Sequence, residues 1–336
     1  MKSVRMVFLV FLCVGLVGVI TLFGFLATGK RINLPGADRD LVKVLDESWT
    51  AAAYTSIELD TDPLDVYVTT SPTAEDIHIS CYQYEDWDID VKENDKSLFI
   101  SAPERASFNS FFWFGVRKSP YFTVEIPENF DGSLKIRTSS GDIEIKGDFT
   151  AGEVKMKTSS GDMKLDQLTA ELISLECSSG DIYFRDLIGT QVLMETSSGE
   201  IEGDWIDGEM RIKASSGDLR IKKLSGAGDL NTSSGEIDIG EYTRMQGDVF
   251  IESSSGDIDI RNFGILGGDL SLRSTSGEIN VFFNEKPEAS VNGETNSGDL
   301  YIFGAGYKRS VRLDDSSAEY QISVQTSSGD IDLKTR

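Results

Sequence analysis

Histidine is all but missing from this 336-residue chain: His78 is the only one, and cysteine occurs three times, as Cys13, Cys81 and Cys177. A zinc centre needs clustered His or Cys ligands, and this inventory offers none. Nor do three scattered cysteines make a disulfide framework. A Ser, His and Asp relay fails on the same count, because His78 lies in an irregular stretch while the many serines belong to a repeat further on. It reads as an exposed strand histidine. Cations are scarce as well: 32 Lys and Arg stand against 56 Asp and Glu, for a net charge of −24. Phosphate backbones call for a basic face, so the composition argues against nucleic acid as a partner.

One apolar run is long enough to matter. Lys2 and Arg5 precede an uncharged stretch from Met6 to Leu26, and Lys30 and Arg31 close it. About 20 such residues span a bilayer, so residues 1–31 read as an N-terminal membrane anchor that touches the membrane through residues 6–26. A cleaved signal peptide, with Ala27-Thr28-Gly29 as its small-residue site, is the alternative, although the run exceeds the usual signal-peptide core. Leu12 precedes Cys13 where a lipoprotein would carry a small residue. Basic residues flank both ends, so charge alone leaves the orientation open. The acidic, Ser/Thr/Gly-rich remainder places the C-terminal domain outside the cytoplasm, on a single-pass protein of the cell membrane.

What the chain has in abundance is one hexapeptide. Thr138-Ser139-Ser140-Gly141-Asp142-Ile143 returns nine times in variant form, with glycines at Gly141, Gly161, Gly180, Gly199, Gly217, Gly235, Gly256, Gly277, Gly298 and Gly329. The interval is 18 to 21 residues, except for a last step of 31. A fixed period of this size signals a stacked repeat. Serine precedes every one of these glycines, Asp or Glu follows it, and an aliphatic residue comes next. Around the corner apolar residues alternate with polar ones, as in Leu134, Ile136 and then Ile143, Ile145, which is the period of a strand.

Each repeat therefore reads as two short strands joined at a Ser-Ser-Gly-Asp corner, with glycine there for a positive φ. The predicted fold is all-β: a parallel β-solenoid (β-helix) of about ten regular coils over 131–336, preceded by irregular N-terminal coils over 56–130 and one transmembrane helix. An antiparallel sandwich of hairpins is the rival. Residues 32–55 read as a stalk, with some helical pattern around Leu41 to Trp49. The pairs Ile57/Leu59, Val66/Val68, Ile77/Ile79, Ile89/Val91 and Leu98/Ile100 look like degenerate first coils. The ten extra residues around Gly304 to Asp315 suggest a hairpin or loop. The chain ends soon after the tenth corner, so its last strand is expected to lie open, guarded only by Lys334 and Arg336.

An in-register stack also predicts its own surface. Glu144 should lie beside Lys164, Glu202 beside Arg220 and Asp238, Glu195 beside Lys213, and Glu252 beside Arg273 and then Glu294. The carboxylate after each glycine would repel its neighbour by roughly 1 kcal/mol even in water. Hydrogen bonds from the corner, or splaying into solvent, would relieve this. A row of Ca²⁺ ions on Asp142, Asp162, Asp181, Asp218 and Asp257 is the sharper alternative, opposed by the Glu that replaces Asp at Glu200, Glu236 and Glu278. Cys177 occupies the Thr position of its repeat, as Ala214 and Ser253 do, and reads as a small buried filler.

The order Thr123-Val124-Glu125-Ile126-Pro127, then Leu134 to Ile145, then repeated Thr-Ser-Ser-Gly-Asp, resembles the bacterial β-strand-repeat family labelled "putative adhesin", a domain of unknown function. The resemblance covers about Ala52 to Arg336. It implies a β-helix on a single-pass or exported protein, carries no catalytic residues or cofactor, and, because members occur near envelope-stress regulators, implies a signalling role as well.

Three functions follow. The first is a non-catalytic surface binding or adhesion module, whose long face makes weak, repeated contacts to a surface polymer or envelope protein. The second is an envelope-stress sensor or scaffold acting through a membrane partner. Its working parts would be the stalk and the loop 102–120, where Phe108, Phe111, Phe112, Trp113 and Phe114 lie near Arg105, Arg117 and Lys118 and could dip into a membrane interface or grip a partner; the plainer reading of the same aromatics is that they fold over the solenoid flank or cap its open end. The third is a polysaccharide-active β-helix enzyme, disfavoured because such a site breaks its repeat and these aspartates look interchangeable.

Overall fold

A computed structural model describes residues 41–84, 88–102 and 119–335. The expected anchor at 6–26 and the aromatics Phe108 to Phe114 lie outside these residues. Among the described residues the fold is all-β, with one 3-10 turn, Ala51–Ala53, and no α-helix.

The chain opens with β1 (Val42–Thr50), β2 (Ser56–Asp60), β3 (Asp65–Ser71), β4 (Asp76–Gln83), β5 (Asp90–Asn94), β6 (Ser97–Ser101), β7 (Tyr121–Pro127) and β8 (Asn129–Arg137). The regular repeats follow as β9 (Ile143–Thr158), β10 (Met163–Cys177), β11 (Ile182–Thr196), β12 (Ile201–Ala214), β13 (Leu219–Thr232) and β14 (Ile237–Ser253). Each of these pairs in parallel with the next, about one repeat on: Met163 faces Ile143 and Ile182, and Leu219 faces Ile201 and Ile237. Like therefore lies on like. This parallel pairing is consistent with a solenoid and excludes the sandwich of hairpins.

The repeat differs from its sequence reading in one respect. Between successive corners from β9 to β14 the chain is one long strand rather than two short ones; the later repeats keep the two short strands. Register shifts such as the one between Leu165 and Gln167 absorb the unequal repeat lengths, as β-bulges do. The alternating aliphatics point inward, and Ile143, Ile182, Ile201, Leu219 and Ile237 are all fully buried. Each such side chain contributes about 1.5–3 kcal/mol.

The C-terminal part comprises β15 (Ile258–Ile265), β16 (Leu270–Ser274), β17 (Ile279–Phe283), β18 (Ala289–Ser297), β19 (Leu300–Ile302), β20 (Ala305–Tyr307), β21 (Ser310–Leu313), β22 (Tyr320–Ser328) and β23 (Ile331–Thr335). Here stack order departs from chain order. Strand β22 lies between β16 and β18, and β23 between β17 and β19. The last coil is thus threaded beneath its predecessor. The expected open C-terminal strand is an interior one, and the extra residues form β20 and β21, which cover β19 and β18 in antiparallel fashion.

The opposite end is built the same way. The β2–β3 coil lies between β6–β7 on one side and β8–β9 on the other, although it precedes both in sequence. Strand β4 then adds antiparallel to β7, β1 antiparallel to β4, and β5 antiparallel to β6. Asp76–Gln83 and Asp90–Asn94 are therefore covering strands rather than degenerate coils. The helical pattern around Leu41 to Trp49 is also overturned: Val42–Thr50 is a strand, with Leu45 and Trp49 inward. Pairing with β4 decides it, as tertiary context overrides a local preference.

Candidate binding face

The corner builds the most regular surface of the molecule. At Thr158, Thr196, Thr232 and Ser253 a buried hydroxyl in the Thr position accepts from the N–H of its own glycine and donates to the carbonyl of a glycine in the neighbouring coil, and Ser274, Thr295 and Thr326 make the second of these bonds. Thr158 Oγ1 takes the Gly161 N–H at 3.1 Å and reaches Gly141 O at 3.2 Å; Thr232 does the same with Gly235 and Gly217, at 3.1 Å each. Cys177 is more than a filler. Its Sγ holds the same relay, 3.0 Å from Gly180 N and 3.3 Å from Gly161 O, and burial pushes the thiol up from its ordinary pKa. Only Ala214 cannot take part.

Glycine is required here for a different reason than the expected one. The corner φ is not positive, except at Gly298. Instead, a Cβ at Gly161 would lie 1.9 Å from Gly141 O, and one at Gly180 would lie 1.9 Å from Gly161 O. Coils approach through bare backbone. An eleventh corner lies at Thr61 to Asp65 without a glycine: Leu64, in the glycine place, accepts the Thr138 hydroxyl at its carbonyl, and the Thr61 hydroxyl donates to that same oxygen instead of relaying to a further coil. Its lost glycine hid it from the sequence pattern.

The acidic column is held by N–H donors. Asp142, Asp162, Asp181, Asp218 and Asp257 each accept, through Oδ1, the N–H of the following corner's Asp or Glu at 2.8–3.0 Å. Asp65 and Asp330 repeat the bond to Asp142 and Asp299. Glu200 instead pairs with Arg220. The crowding persists at two places: Asp65 and Glu236 are pushed up from ordinary carboxylate values, chiefly by burial and then by neighbouring carboxylates, partly offset at Asp65 by the Asp142 N–H. No group of three or more His, Cys, Asp or Glu suited to a metal ion occurs among the described residues. Outside this column the serines stand in a row. The serine before the glycine is exposed in all ten copies, and the backbone bonds Ser179 N to Ser159 O, Ser198 to Ser178 and Ser216 to Ser197 fix its pitch at 3.0–3.1 Å contacts.

The predicted charge columns largely stand. Glu144 lies beside Lys164, Glu202 beside Arg220, Arg220 beside Asp238, and Glu195 beside Lys213, where the charges meet at 3.5 Å. Arg273 has Glu252 on one side, but Gln325 rather than Glu294 on the other. The threaded coil displaced it.

His78 has company that composition did not reveal. Its Nδ1 lies 2.8 Å from Ser48 Oγ, its Nε2 lies 3.2 Å from Asp46 Oδ1, and Ser80 Oγ donates to Asp46 at 2.7 Å. Strand parity would have shown this, had 42–50 been read as a strand: Asp46 and Ser48 share a face, as do His78 and Ser80. The grouping is a cross-strand latch. Ser48 and His78 are register partners on an open face, and the histidine side chain is 41% exposed.

The sequence profile of the family described as Toastrack DUF4097 matches residues 54–240, 208–264 and 227–334, most of the chain. The chain belongs to the Toastrack DUF4097 family. That match takes in every corner described above, the cryptic one at Thr61 included. No curated protein matches the chain. Among solved structures, a "putative adhesin" from Parabacteroides distasonis is 12% identical, with 88% of this chain and 98% of that one aligned and a TM-score of 0.43. A "putative adhesin" from Bacteroides fragilis is 13% identical over 88% and 98%, at 0.37. A "putative lipid binding protein" from P. distasonis is 13% identical over 86% and 96%, at 0.29.

Proposed function

We propose that this Toastrack chain is a non-catalytic binding module, anchored in the cell membrane through residues 6–26 and exported, whose coils form a parallel β-solenoid presenting repeated contacts to a surface polymer or envelope protein. The observation that carries this reading is the row of exposed serines, one per corner, held in register beside the aspartate column. Hydroxyls repeating at about 4.8 Å, the spacing of neighbouring strands, suit many weak contacts. Linked weak contacts gain by effective concentration. A catalytic centre would need one rung unlike the others, whereas these rungs share the same bonds.

The test is avidity. Full-length protein carrying Ser→Ala pairs on two, four and six corners is measured for binding to isolated cell envelopes. A graded loss supports the reading. Binding that ignores the serines, or that disappears with a single rung, overturns it. Protease treatment of intact cells checks the export: a protected C-terminal domain would refute it.

A further inference from the structure

The outward columns mostly alternate in sign; carboxylates meet at Glu176 and Glu195 and at Asp238 and Asp259, and cations meet cations on one pair of strands. On β8 and β9, Lys135 lies directly beside Lys155, and Arg137 beside Lys157. Like charges in register partners oppose pairing, so four adjacent cations in a chain of net charge −24 work against the local ladder. Lys155 is met by Glu153 and Lys157 by Glu176. Lys135 and Arg137 have no carboxylate within ion-pair distance among the described residues. Between these side chains runs a groove of about 170 Å³, lined also by Glu58, Ser174 and Glu176.

The geometry points to this groove as a binding site for a single anionic polymer chain with charges repeating along β8 and β9. Successive outward residues of one strand lie about 6.6 Å apart, from a rise of about 3.3 Å per residue. A chain with at least one charge per such interval would meet Lys135 and Arg137 in turn, with Lys155 and Lys157 alongside. The flanks set the width. Glu58 and Asp60 face Lys135 and Arg137 from β2, and Glu176 faces Lys157 from β10. A broad anionic surface such as a bilayer would press on those carboxylates, whereas a single chain fits between them. The site depends on the exported-module reading only for where such a polymer is met, and it uses a face other than the serine row.

Full-length protein in detergent is titrated with linear inorganic polyphosphate, with dextran as uncharged control and anionic phospholipid vesicles as the flat alternative. Polyphosphate is expected to bind, more weakly as salt rises. The double variant K135Q/R137Q should bind about tenfold more weakly, with a cooperative melt confirming that it is folded. Equal binding by wild type and variant, no binding by wild type, or vesicle binding in place of polyphosphate binding would each overturn the site. The Ser→Ala corner variants should bind polyphosphate as wild type does. If they lose envelope binding while polyphosphate fails to bind, this groove fails alone and the serine row stands.

Discussion

At the scale of the residue, the corner is a set of substitutions with different consequences at nearly constant backbone. Ala214 leaves one relay position empty, with the Gly217 N–H and Gly199 O on either side of it. Ala214→Thr should therefore raise stability by about 1 kcal/mol, and Thr196→Ala should lower it by about 1–3 kcal/mol, since a buried donor or acceptor loses its partner; thermal melts of both variants check this. The aspartate column predicts a second contrast. Asp162→Asn keeps an acceptor oxygen for the Asp181 N–H and should cost little. Asp162→Glu moves the carboxylate away, as Glu200, Glu236 and Glu278 show, and should cost about 1 kcal/mol. A denaturant series in which Asn proved the worse of the two would mean that charge, not reach, holds the column. Sequence alone gave the identities of these residues but misassigned the glycine. Its recurrence looks the same whether it serves φ or contact, and only the 1.9 Å approach of the carbonyl below separates them.

At the scale of the element, β1 is fastened by polar groups that titrate in opposite directions. Asp46 is held below the usual carboxylate range by the Ser80 hydroxyl and then Lys43, and Glu93 likewise by the Tyr54 hydroxyl and the Trp49 indole. Both folded values lie below the unfolded ones, so their support is present above about pH 4 and is lost as pH falls through the folded values. Tyr54 is pushed up to about 12, first by its bond to Glu93 and then by burial. Its contribution is complete below about pH 10 and is lost as pH rises toward 12. Hydrogen exchange of β1 amides, corrected for intrinsic rates, should thus show protection across the neutral range and loosening at both extremes. Uniform protection down to strong acid would show that apolar burial of Leu45 and Trp49 suffices. This strand was also where pattern reading failed: Leu41, Leu45 and Trp49 have helical spacing, and nothing local reports that β4 waits as an antiparallel partner.

At the scale of the whole described fold, the parallel stack was legible because identical corners at constant spacing have one arrangement that puts like on like. Its ends were not, because threading is a relation between segments that share no motif. The only trace is the long last interval before Gly329, which also fits a simple loop. The consequence can be tested by removing the end of the chain. A stack in chain order would lose its outermost coil if residues 320–336 were deleted, and the rest would be shortened but intact, as nearest-neighbour repeat energetics predict. Here the deletion removes an interior layer. Strands β16 and β17 lose β22 and β23, the β18–β19 coil loses its seat, and Gly298, whose Cβ position abuts Gly329 O at 2.1 Å, has nothing to rest on. The truncated chain should therefore expose everything from β18 onward to protease and melt well below a control in which only 305–315 is replaced by a short flexible loop. That control uncovers the edges of β18 and β19 but keeps the threaded coil, so it should stay folded through β19 and associate edge to edge. Equal melting of the two variants would place the last coil at the outside of the stack after all.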